Sequence, residues 1–477
     1  MLSRSSDRWS PYPLWLGLAL ASVAVGLGAL LGYAGPIITV ALLLALAAGL
    51  WIITDIRLGL AAAIGIITLL PFGALPVKIV FTPTFLDLAL GAVFLVYTLQ
   101  WMTGQRRRLT VTPAHAPILA FWILALFSFV AGKSNGPLTT NLIRQFAELL
   151  LSVWFAFLIV DYVDDRPTLI FLVRLLLIGG ALAAALGIVL YVLPQDFSER
   201  ALSALRVFNY PSGGVLRYVE DNPANSQRAI STSVDPNVLG GLLAMIGGLL
   251  APQLLAKKPV LGSRWLTYLA FGAVLTCVVL TFSRGAMAAL GVALAGIALA
   301  RYRRMIWIGV AVVWVILLLP VTQGYVVHFI EGVQGQDLAT QMRLGEYKDA
   351  FILIGRYPWF GVGFAGAPQI DIYLGVSNAY LLIVEKMGLV GLGAFLLVMG
   401  VVYAWGFRHR QAVYRAEPEG ELTALWLGVH AGLLAALAVG MVDHYFFNLV
   451  FQPAGTIFWL FVGLCLAATR LAVVDSP

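Results

Sequence analysis

The chain has 477 residues, of which 61% are hydrophobic and 11% are charged. Soluble proteins carry about 25% charged residues, so this composition excludes a soluble enzyme and indicates a protein that crosses a membrane many times. The formal net charge of +7 is spread over connections between apolar runs and gives no reason to expect nucleic-acid binding. The two cysteines and five histidines show no disulfide or metal-ligand spacing, so we expect neither a metal nor a cofactor.

Apolar runs that are long enough to cross a bilayer recur along the whole chain, since a transmembrane helix needs about 20 apolar residues. The first run follows Arg4 and Arg8 and is interpreted as an anchor helix rather than a cleaved signal peptide. The two pairs of apolar runs joined by short hairpins, around Pro36 and around Arg284, could be re-entrant, so 12 to 14 spans are predicted. The predicted fold class is an all-α polytopic membrane protein, with residues 1–477 as one transmembrane domain. The candidate spans are approximately 13–33, 36–54, 58–77, 84–103, 115–132, 143–162, 168–193, 236–255, 265–282, 285–301, 304–321, 379–406, 421–442 and 455–473.

Basic residues alternate between successive connections, which predicts the orientation of the chain. With a cytoplasmic N-terminus, every inner connection carries at least one Lys or Arg, whereas several short outer connections carry none or one. Both termini are therefore predicted to be cytoplasmic, and the two long loops, 194–235 and 321–378, to lie on the other side, with the second partly helical over 340–355. Topology does not favour arginine on that side, and an anionic ligand would explain its presence there. The arginines concerned are Arg200, Arg206, Arg217, Arg228, Arg284, Arg343 and Arg356.

The first loop ends in a polar segment that runs straight into an apolar helix. Asp235 or Ser233 could cap that helix, with Pro236 near its first position. A helix N-terminus with Arg228 a few residues upstream makes an anion site. The alternative is an ordinary cap beside a surface arginine.

Arg284 lies in a short hairpin between two apolar runs, where an ionisable residue suggests function. The alternative is an arginine that reaches the lipid headgroups. In the second loop, Arg343 could bind a ligand or pair with Glu346 three residues later.

Two further segments carry polar residues at helix ends. Ser377 is predicted to cap the helix that follows, in which Glu385 should face the bundle rather than lipid. Asp443 and His444 end an apolar helix and could form an acid/base pair or an interfacial polar cluster.

Four segments together resemble the O-antigen ligase/polymerase family of membrane glycosyltransferases, in that family's order. They are Arg228–Asn237, Leu280–Gly285, Arg343–Gly363, and Asn378-Ala-Tyr380 with the following Glu385–Gly391. The resemblance is clearest over 225–405, and the first half of the chain agrees only in hydropathy. One departure is Ser377, since many ligases have histidine before the asparagine. Either His444 or His328 substitutes for it, or the protein is not a lipid A-core ligase, which favours a polymerase or a divergent transferase.

The resemblance implies a GT-C-type membrane glycosyltransferase that moves an oligosaccharide from a polyprenyl-diphosphate carrier to a glycan or lipid-linked glycan acceptor. The reaction would take place on the periplasmic side of the bacterial inner membrane, without metal or cofactor and alongside other polysaccharide-assembly proteins. The expected catalytic residues are Arg228, Arg284, Arg343, Asp443 and His444. The expected substrate-binding residues are Arg217, Asp235, Asn237, Ser377, Asn378 and Tyr380. The general base stays open among Glu220, Asp221, Asp235, Glu346, Asp371 and Asp443.

A transporter or flippase for a lipid-linked or anionic glycan is the alternative from another functional class. It would also use arginines in a cavity, but it predicts internal repeats and charges near the bilayer midplane. The sequence shows no obvious repeat, and its charges cluster at the outer ends of the predicted spans.

Overall fold

The computed structural model describes residues 17–18, 20–29, 55–76, 81–318, 338–366, 375–417 and 420–474, with a few further positions in 31–43 and 323–334. The chain divides into two compact units, residues 1–59 and residues 60–477. All the site residues predicted from the sequence fall in the second unit. His328 and Asp371 lie outside the described residues.

The described regular structure is almost entirely helical, which confirms the predicted all-α class. The helices up to the first long loop are α1 (Leu20–Ala29), α2 (Ile56–Leu69), α3 (Phe85–Met102), α4 (His115–Ala131), α5 (Thr140–Tyr162) and α6 (Arg166–Val192). Those that follow are α7 (Gln195–Ser203), α8 (Pro236–Leu250), α9 (Arg264–Leu280), α10 (Arg284–Ala300), α11 (Met305–Leu318), α12 (Leu338–Arg356), α13 (Ala379–Ala416), α14 (Glu421–Val439) and α15 (Gln452–Val474).

Short elements fill the first long loop, which the sequence did not predict to be structured. After α7 come a 3-10 helix, Ala204–Phe208, and two short strands, β1 (Arg217–Tyr218) and β2 (Gln227–Arg228), which pair in antiparallel fashion. A 3-10 turn, Val219–Asp221, follows β1. Two further 3-10 helices, Lys133–Asn135 and Ala251–Leu254, extend α4 and α8. In the second long loop, α12 confirms the helix predicted over 340–355.

Seven of the described helices are long and apolar enough to cross a membrane, which makes the chain a multi-pass membrane protein. They are α3, α5, α6, α8 with its 3-10 extension, α13, α14 and α15. The shorter apolar helices α1, α2, α4, α9 and α10 coincide with five more of the predicted spans. The predicted number of 12 to 14 spans stays a prediction.

Helices α14 and α15 are the most buried of the membrane-length helices and form the centre of the second unit. Helix α14 packs against α8 and α10, and α15 packs against α5 and α13. The N-terminal ends of α8 and α10 lie near the segment that follows α14, since residues of all three line one cavity. That arrangement brings three separate parts of the sequence to one end of the bundle.

Helix α13 is broken at Gly388, and a loop from the preceding segment fills the break. Gly388 has a φ of +69° and a ψ of −176°, outside the helical region. The backbone N–H groups of Leu389 and Val390 donate to the carbonyls of Pro358 and Trp359, at 2.7 and 3.2 Å. These donors would otherwise bond the carbonyls four residues earlier in the helix.

The freed carbonyls of α13 are satisfied by the same loop. Val362 N–H donates to Glu385 O at 2.8 Å, and Gly363 N–H donates to Lys386 O at 3.0 Å. A Cβ on Gly388 would lie 2.1 Å from the carbonyl carbon of Trp359, so only glycine fits there. The loop that closes the second long segment is therefore held rigidly inside the helix, and it fixes the end of α12 relative to α13.

A largely buried ion-pair network joins the N-terminal ends of α3, α5 and α15. Arg144 donates to Asp87 Oδ2 at 3.1 Å and to Asn141 Oδ1 at 3.2 Å, and it also bonds Glu148. Gln452 Nε2 lies 3.5 Å from Asp87 Oδ1. These contacts tie together three helices that begin at the same end of the bundle.

Candidate functional site

The first wall of the site is the β1–β2 hairpin, in which Arg217 lies directly opposite Arg228. Arg228 is held by two hydrogen bonds: its Nε donates to Thr281 O at 2.8 Å, and its Nη2 donates to Asn237 Oδ1 at 3.0 Å. The next residue, Ala229, donates its N–H to Leu280 O at 2.8 Å. The hairpin is thus fixed to both the turn before α10 and the first turn of α8.

The second wall is the N-terminus of α8. Asp235 caps this helix, accepting from the N–H groups of Asn237 at 2.7 Å and Val238 at 3.1 Å, as the sequence predicted for this position or Ser233. Pro236 occupies the first helical position, where its missing N–H costs no hydrogen bond. Val234, just before the cap, has a φ of +61°, a strained conformation for a β-branched residue.

The third wall is the N-terminus of α10. Ser283 caps it by accepting from Ala286 N–H, and Arg284 is the first residue of the helix. Phe282 has a φ of +51°, which turns the chain sharply between α9 and α10. Two helix N-termini therefore point toward the same region, and each brings the positive end of a helix dipole.

A cavity of about 420 Å³ lies between these walls. Residues from α12, from the end of α14 and from the segment after it complete the lining, and they add Arg343 and Asp443. The charged and polar side chains that line it are Arg217, Glu220, Asp221, Arg228, Asp235, Asn237, Ser283, Arg284, Arg343 and Asp443. Its apolar lining includes Phe282, Met342, Val439 and Val442.

The arginines and carboxylates of the cavity lie close enough to shift one another's pKa values. Burial lowers the pKa of Arg228, and the nearby Arg284 and Arg343 lower it further. The carboxylates of Asp235 and Asp221 raise the pKa of Arg228. Burial raises the pKa of Asp443 above the ordinary aspartate range, and Asp235 adds to that effect. Electrostatic interactions with His444 and Arg343 lower the pKa of Asp443 and so act in the opposite direction. The cavity thus combines clustered guanidinium groups with a carboxylate that holds its proton more tightly than usual.

Residues 269–396 match a family model described as O-antigen ligase. This part of the chain carries an O-antigen ligase domain. The resemblance noted from the sequence motifs is thereby confirmed over these residues. No curated protein matches the chain. The O-antigen ligase family comprises membrane enzymes that act on lipid-linked glycans, and the membrane-length helices found here agree with that setting.

The O-antigen ligase domain supplies only part of the cavity. Arg284 and Arg343 lie within the matched residues, whereas Arg217, Arg228 and Asp443 lie outside them. The site is therefore assembled from the domain together with the first long loop and the segment after α14. Of the eleven site residues expected from the sequence, the cavity brings together Arg217, Arg228, Asp235, Asn237, Arg284, Arg343 and Asp443.

The other four expected residues lie beside the cavity rather than in its lining. Asn378, not Ser377 as predicted, caps α13 by accepting from the N–H groups of Tyr380 and Leu381, because its side-chain oxygen reaches both donors. Tyr380 donates its hydroxyl to Leu437 O at 2.8 Å. His444 Nδ1 lies 3.6 Å from Asp443 Oδ1, and that nitrogen is buried without a hydrogen bond from any described residue.

Two carboxylates in the ligase domain have clear positions outside the cavity lining. Glu346, one of the base candidates, accepts a hydrogen bond from Ser377 N–H at 2.8 Å. Glu385 is only 1% exposed, which confirms that it faces the bundle.

Thr281 and Ser283 also contribute to the site, and neither was predicted from the sequence. Thr281 acts through its backbone carbonyl, which no side-chain pattern reveals. Ser283 precedes an apolar run in the position of an N-cap, and that signal could have identified the helix start.

Proposed function

We propose that this protein is a membrane glycosyltransferase that moves an oligosaccharide from a polyprenyl-diphosphate carrier to an acceptor glycan. The observation that carries the proposal is the convergence of Arg217, Arg228, Arg284 and Arg343 on one cavity with two helix N-termini. A diphosphate is a compact, highly charged anion, and guanidinium groups bind phosphate oxygens in paired hydrogen bonds. The O-antigen ligase domain supports the same class of substrate.

The diphosphate is assigned to the end of the cavity formed by Arg228, Arg284 and the first turns of α8 and α10. Arg228 is already oriented by Thr281 and Asn237, so it needs little rearrangement to receive a ligand. As the bond between the anomeric carbon and the phosphate oxygen breaks, negative charge builds on that oxygen. Guanidinium groups fixed beforehand stabilise this charge in the transition state more than in the substrate.

The acceptor hydroxyl is assigned to the side of the cavity that contains Asp443. Its oxygen would attack the anomeric carbon, and its proton would pass to the Asp443 carboxylate. The leaving polyprenyl diphosphate keeps the electron pair of the broken bond. A carboxylate with a raised pKa is a stronger base than an ordinary aspartate, which suits it to accept the proton of the hydroxyl. Among the base candidates left open by the sequence, Asp443 is the one we favour.

The reaction is assigned to the outer face of the bacterial cytoplasmic membrane, with both termini cytoplasmic. The support is the alternation of basic residues along the sequence, which puts the N-terminal ends of α8, α10 and α13 on the outer side. Since Ser377 replaces the histidine of many ligases, polymerisation of lipid-linked glycan is favoured over transfer to lipid A-core.

The test uses purified protein and polyprenyl-diphosphate-linked oligosaccharide from the native host. Wild type is compared with Arg284→Ala and with Arg200→Ala, an exposed arginine on α7 as the control. Release of polyprenyl diphosphate together with longer glycan, lost in Arg284→Ala and kept in Arg200→Ala, supports a polymerase. Transfer to added lipid A-core without chain growth supports a ligase. If wild type shows no turnover and lipid-linked glycan merely changes leaflet in vesicles, the protein is a transporter and the proposal fails.

A further inference from the structure

The start of α13 contacts both parts of the chain that complete the cavity. Ser377 N–H donates to Glu346 Oε2 at 2.8 Å, and Glu346 lies on α12 three residues after Arg343. Residues three apart lie on neighbouring positions of one helix face. The bond therefore fixes the turn of α12 that carries Arg343 relative to the first residues of α13.

The same start of α13 also holds the segment that carries Asp443. Asn378 Nδ2 donates to Met441 O at 2.8 Å. Ala379 N–H lies 2.8 Å from Gly440 O and 3.1 Å from Asp443 O, so it is shared between the two carbonyls. Three consecutive residues at the start of α13, namely Ser377, the N-cap Asn378 and the first helical residue Ala379, thus set the position of α12 on one side and of residues 440–443 on the other.

We propose that Glu346 and Asn378 are positioning residues, which set Arg343 and Asp443 in the cavity through the start of α13. The inference rests on the proposed glycosyl transfer for its catalytic consequence. The positioning of Arg343 and Asp443 by these hydrogen bonds does not depend on which reaction the protein catalyses. Arg343 and Asp443 influence each other electrostatically, so a shift of either one changes both the anion site and the base.

The bonds of Asn378 argue against direct contact with substrate. Its oxygen already accepts from Tyr380 and Leu381 at 3.0 Å each, and its nitrogen donates to Met441. An amide oxygen accepts two hydrogen bonds, so that end of the side chain is fully used. For Glu346 the rival role is that of general base, which requires a carboxylate, whereas holding Ser377 N–H requires only an oxygen acceptor.

The first test therefore compares Glu346→Gln with Glu346→Ala. Glutamine keeps an oxygen that can accept from Ser377, so we expect activity within about threefold of wild type. Alanine removes the bond, and we expect kcat/KM to fall about 10- to 100-fold, chiefly through KM, because Arg343 is displaced. The control is Lys348→Ala, an exposed residue of the same helix, which should stay at the wild-type level. Equal loss in Glu346→Gln and Glu346→Ala, or no loss in Glu346→Ala, would overturn the assignment.

The second test uses Asn378→Asp, which keeps the capping oxygen but replaces the donor to Met441 by a second oxygen. We expect kcat to fall about tenfold or more, and the acid limb of the kcat–pH profile to move, since residues 440–443 are released. The control is Asn448→Asp, which makes the same chemical change outside the cavity lining. The Oδ1 of Asn448 likewise accepts a hydrogen bond from a backbone N–H, that of Val450. An unchanged pH profile in Asn378→Asp would count against the positioning role.

A measurement without turnover separates this inference from the proposed reaction. Spin labels at Leu344 and Met441, which are 56% and 62% exposed, report the distance between α12 and the segment after α14. We expect the distance distribution to broaden in Glu346→Ala and Asn378→Asp but not in Lys348→Ala or Asn448→Asp. Broadening in a protein whose wild type shows no glycosyl transfer would uphold the positioning role while the proposed function fails. An unchanged distribution in the two variants would overturn the positioning role, whatever the activity shows.

Discussion

Arg217 and Arg228 lie directly opposite each other across the two-stranded β1–β2 ladder. Side chains at opposite positions of an antiparallel pair lie on one face of the sheet, and like charges there are destabilising. Arg228 remains in this position because Thr281 and Asn237 accept its hydrogen bonds. A hairpin that holds two guanidinium groups together is suited to an anion bound between them.

Replacing Arg217 should raise the stability of the protein slightly and lower its activity. Arg217 is exposed, so solvent screens its repulsion with Arg228. Because Arg217→Gln removes that repulsion, we expect the free energy of unfolding to rise, by at most a few tenths of a kcal/mol. We expect kcat/KM to fall about tenfold, since one guanidinium group of the anion-binding cavity is lost. Thermal unfolding with and without inorganic diphosphate checks the first point, because the anion should stabilise wild type more than the variant. A variant that is less stable than wild type, with equal stabilisation by diphosphate, would contradict the anion site.

Arg228→Lys should lose most of the activity although it keeps the charge. Lysine has one nitrogen at the end of a flexible chain and cannot bond Thr281 O and Asn237 Oδ1 in the geometry of the guanidinium. The loss of an oriented donor for the leaving group is expected to lower kcat by about 10²- to 10³-fold. Arg206→Lys, at an exposed position of the same loop, is the control. Near-normal kcat in Arg228→Lys would mean that only the charge matters.

The pH dependence of kcat should report on Asp443. A general base works in its deprotonated form, so activity rises as pH increases through its pKa. Burial raises the pKa of Asp443, so the acid limb should lie above the value of about 3.9 that is usual for aspartate. Asp443→Asn should lower kcat by about 10²- to 10⁴-fold and remove this limb.

The matched control for Asp443 is Asp196→Asn, an exposed aspartate on α7, which should keep both the rate and the profile. An acid limb that persists in Asp443→Asn would assign the base to another carboxylate of the cavity, such as Asp235.

Hydropathy predicted the helices well and their ends less well. The predicted span 58–77 ends as a helix at Leu69, because the apolar run continues through a non-helical turn around Phe72. Conversely, α13 extends to Ala416 rather than 406, since its last turns are polar and hydropathy detects only the part suited to lipid. The break at Gly388 depends on backbone angles and on a loop that arrives from elsewhere, and neither is readable from the helix alone.

The alternation of basic residues along the sequence identified the arginines of the site, because they lie where topology does not favour them. It could not separate Arg343, which lines the cavity, from Arg200, which does not, since that depends on tertiary packing. Asn378 shows a different limit. The motif indicated its importance, but only the structure shows that its side chain bonds its own helix and Met441.

Gly388→Ala should disrupt the junction between α12 and α13. Alanine at a φ of +69° is strained, and its Cβ would meet the backbone of Trp359 at 2.1 Å. We expect a large loss of folded protein, which can be measured by detergent-extracted yield and by unfolding temperature. Gly393→Ala in the same helix is the control, because its added Cβ would meet nothing within 4 Å beyond its own turns of the helix backbone. Equal yields of the two variants would show that the inserted loop is not needed for the fold.

Removing Arg144 should destabilise the protein, because the partly buried Asp87 and the buried Glu148 would lose their shared partner. Breaking a fully buried pair costs about 3–5 kcal/mol, so for this largely buried network we expect Arg144→Met to cost somewhat less and still to lower the unfolding temperature. Adding Glu148→Gln should restore part of the loss, since one uncompensated charge is removed. Arg166→Met is the control. Arg166 pairs with Glu417, and both side chains are about one-third exposed. Such exposed pairs contribute about 1 kcal/mol or less, so we expect little change. A double variant no more stable than Arg144→Met would mean that Arg144 acts through its packing rather than its charge.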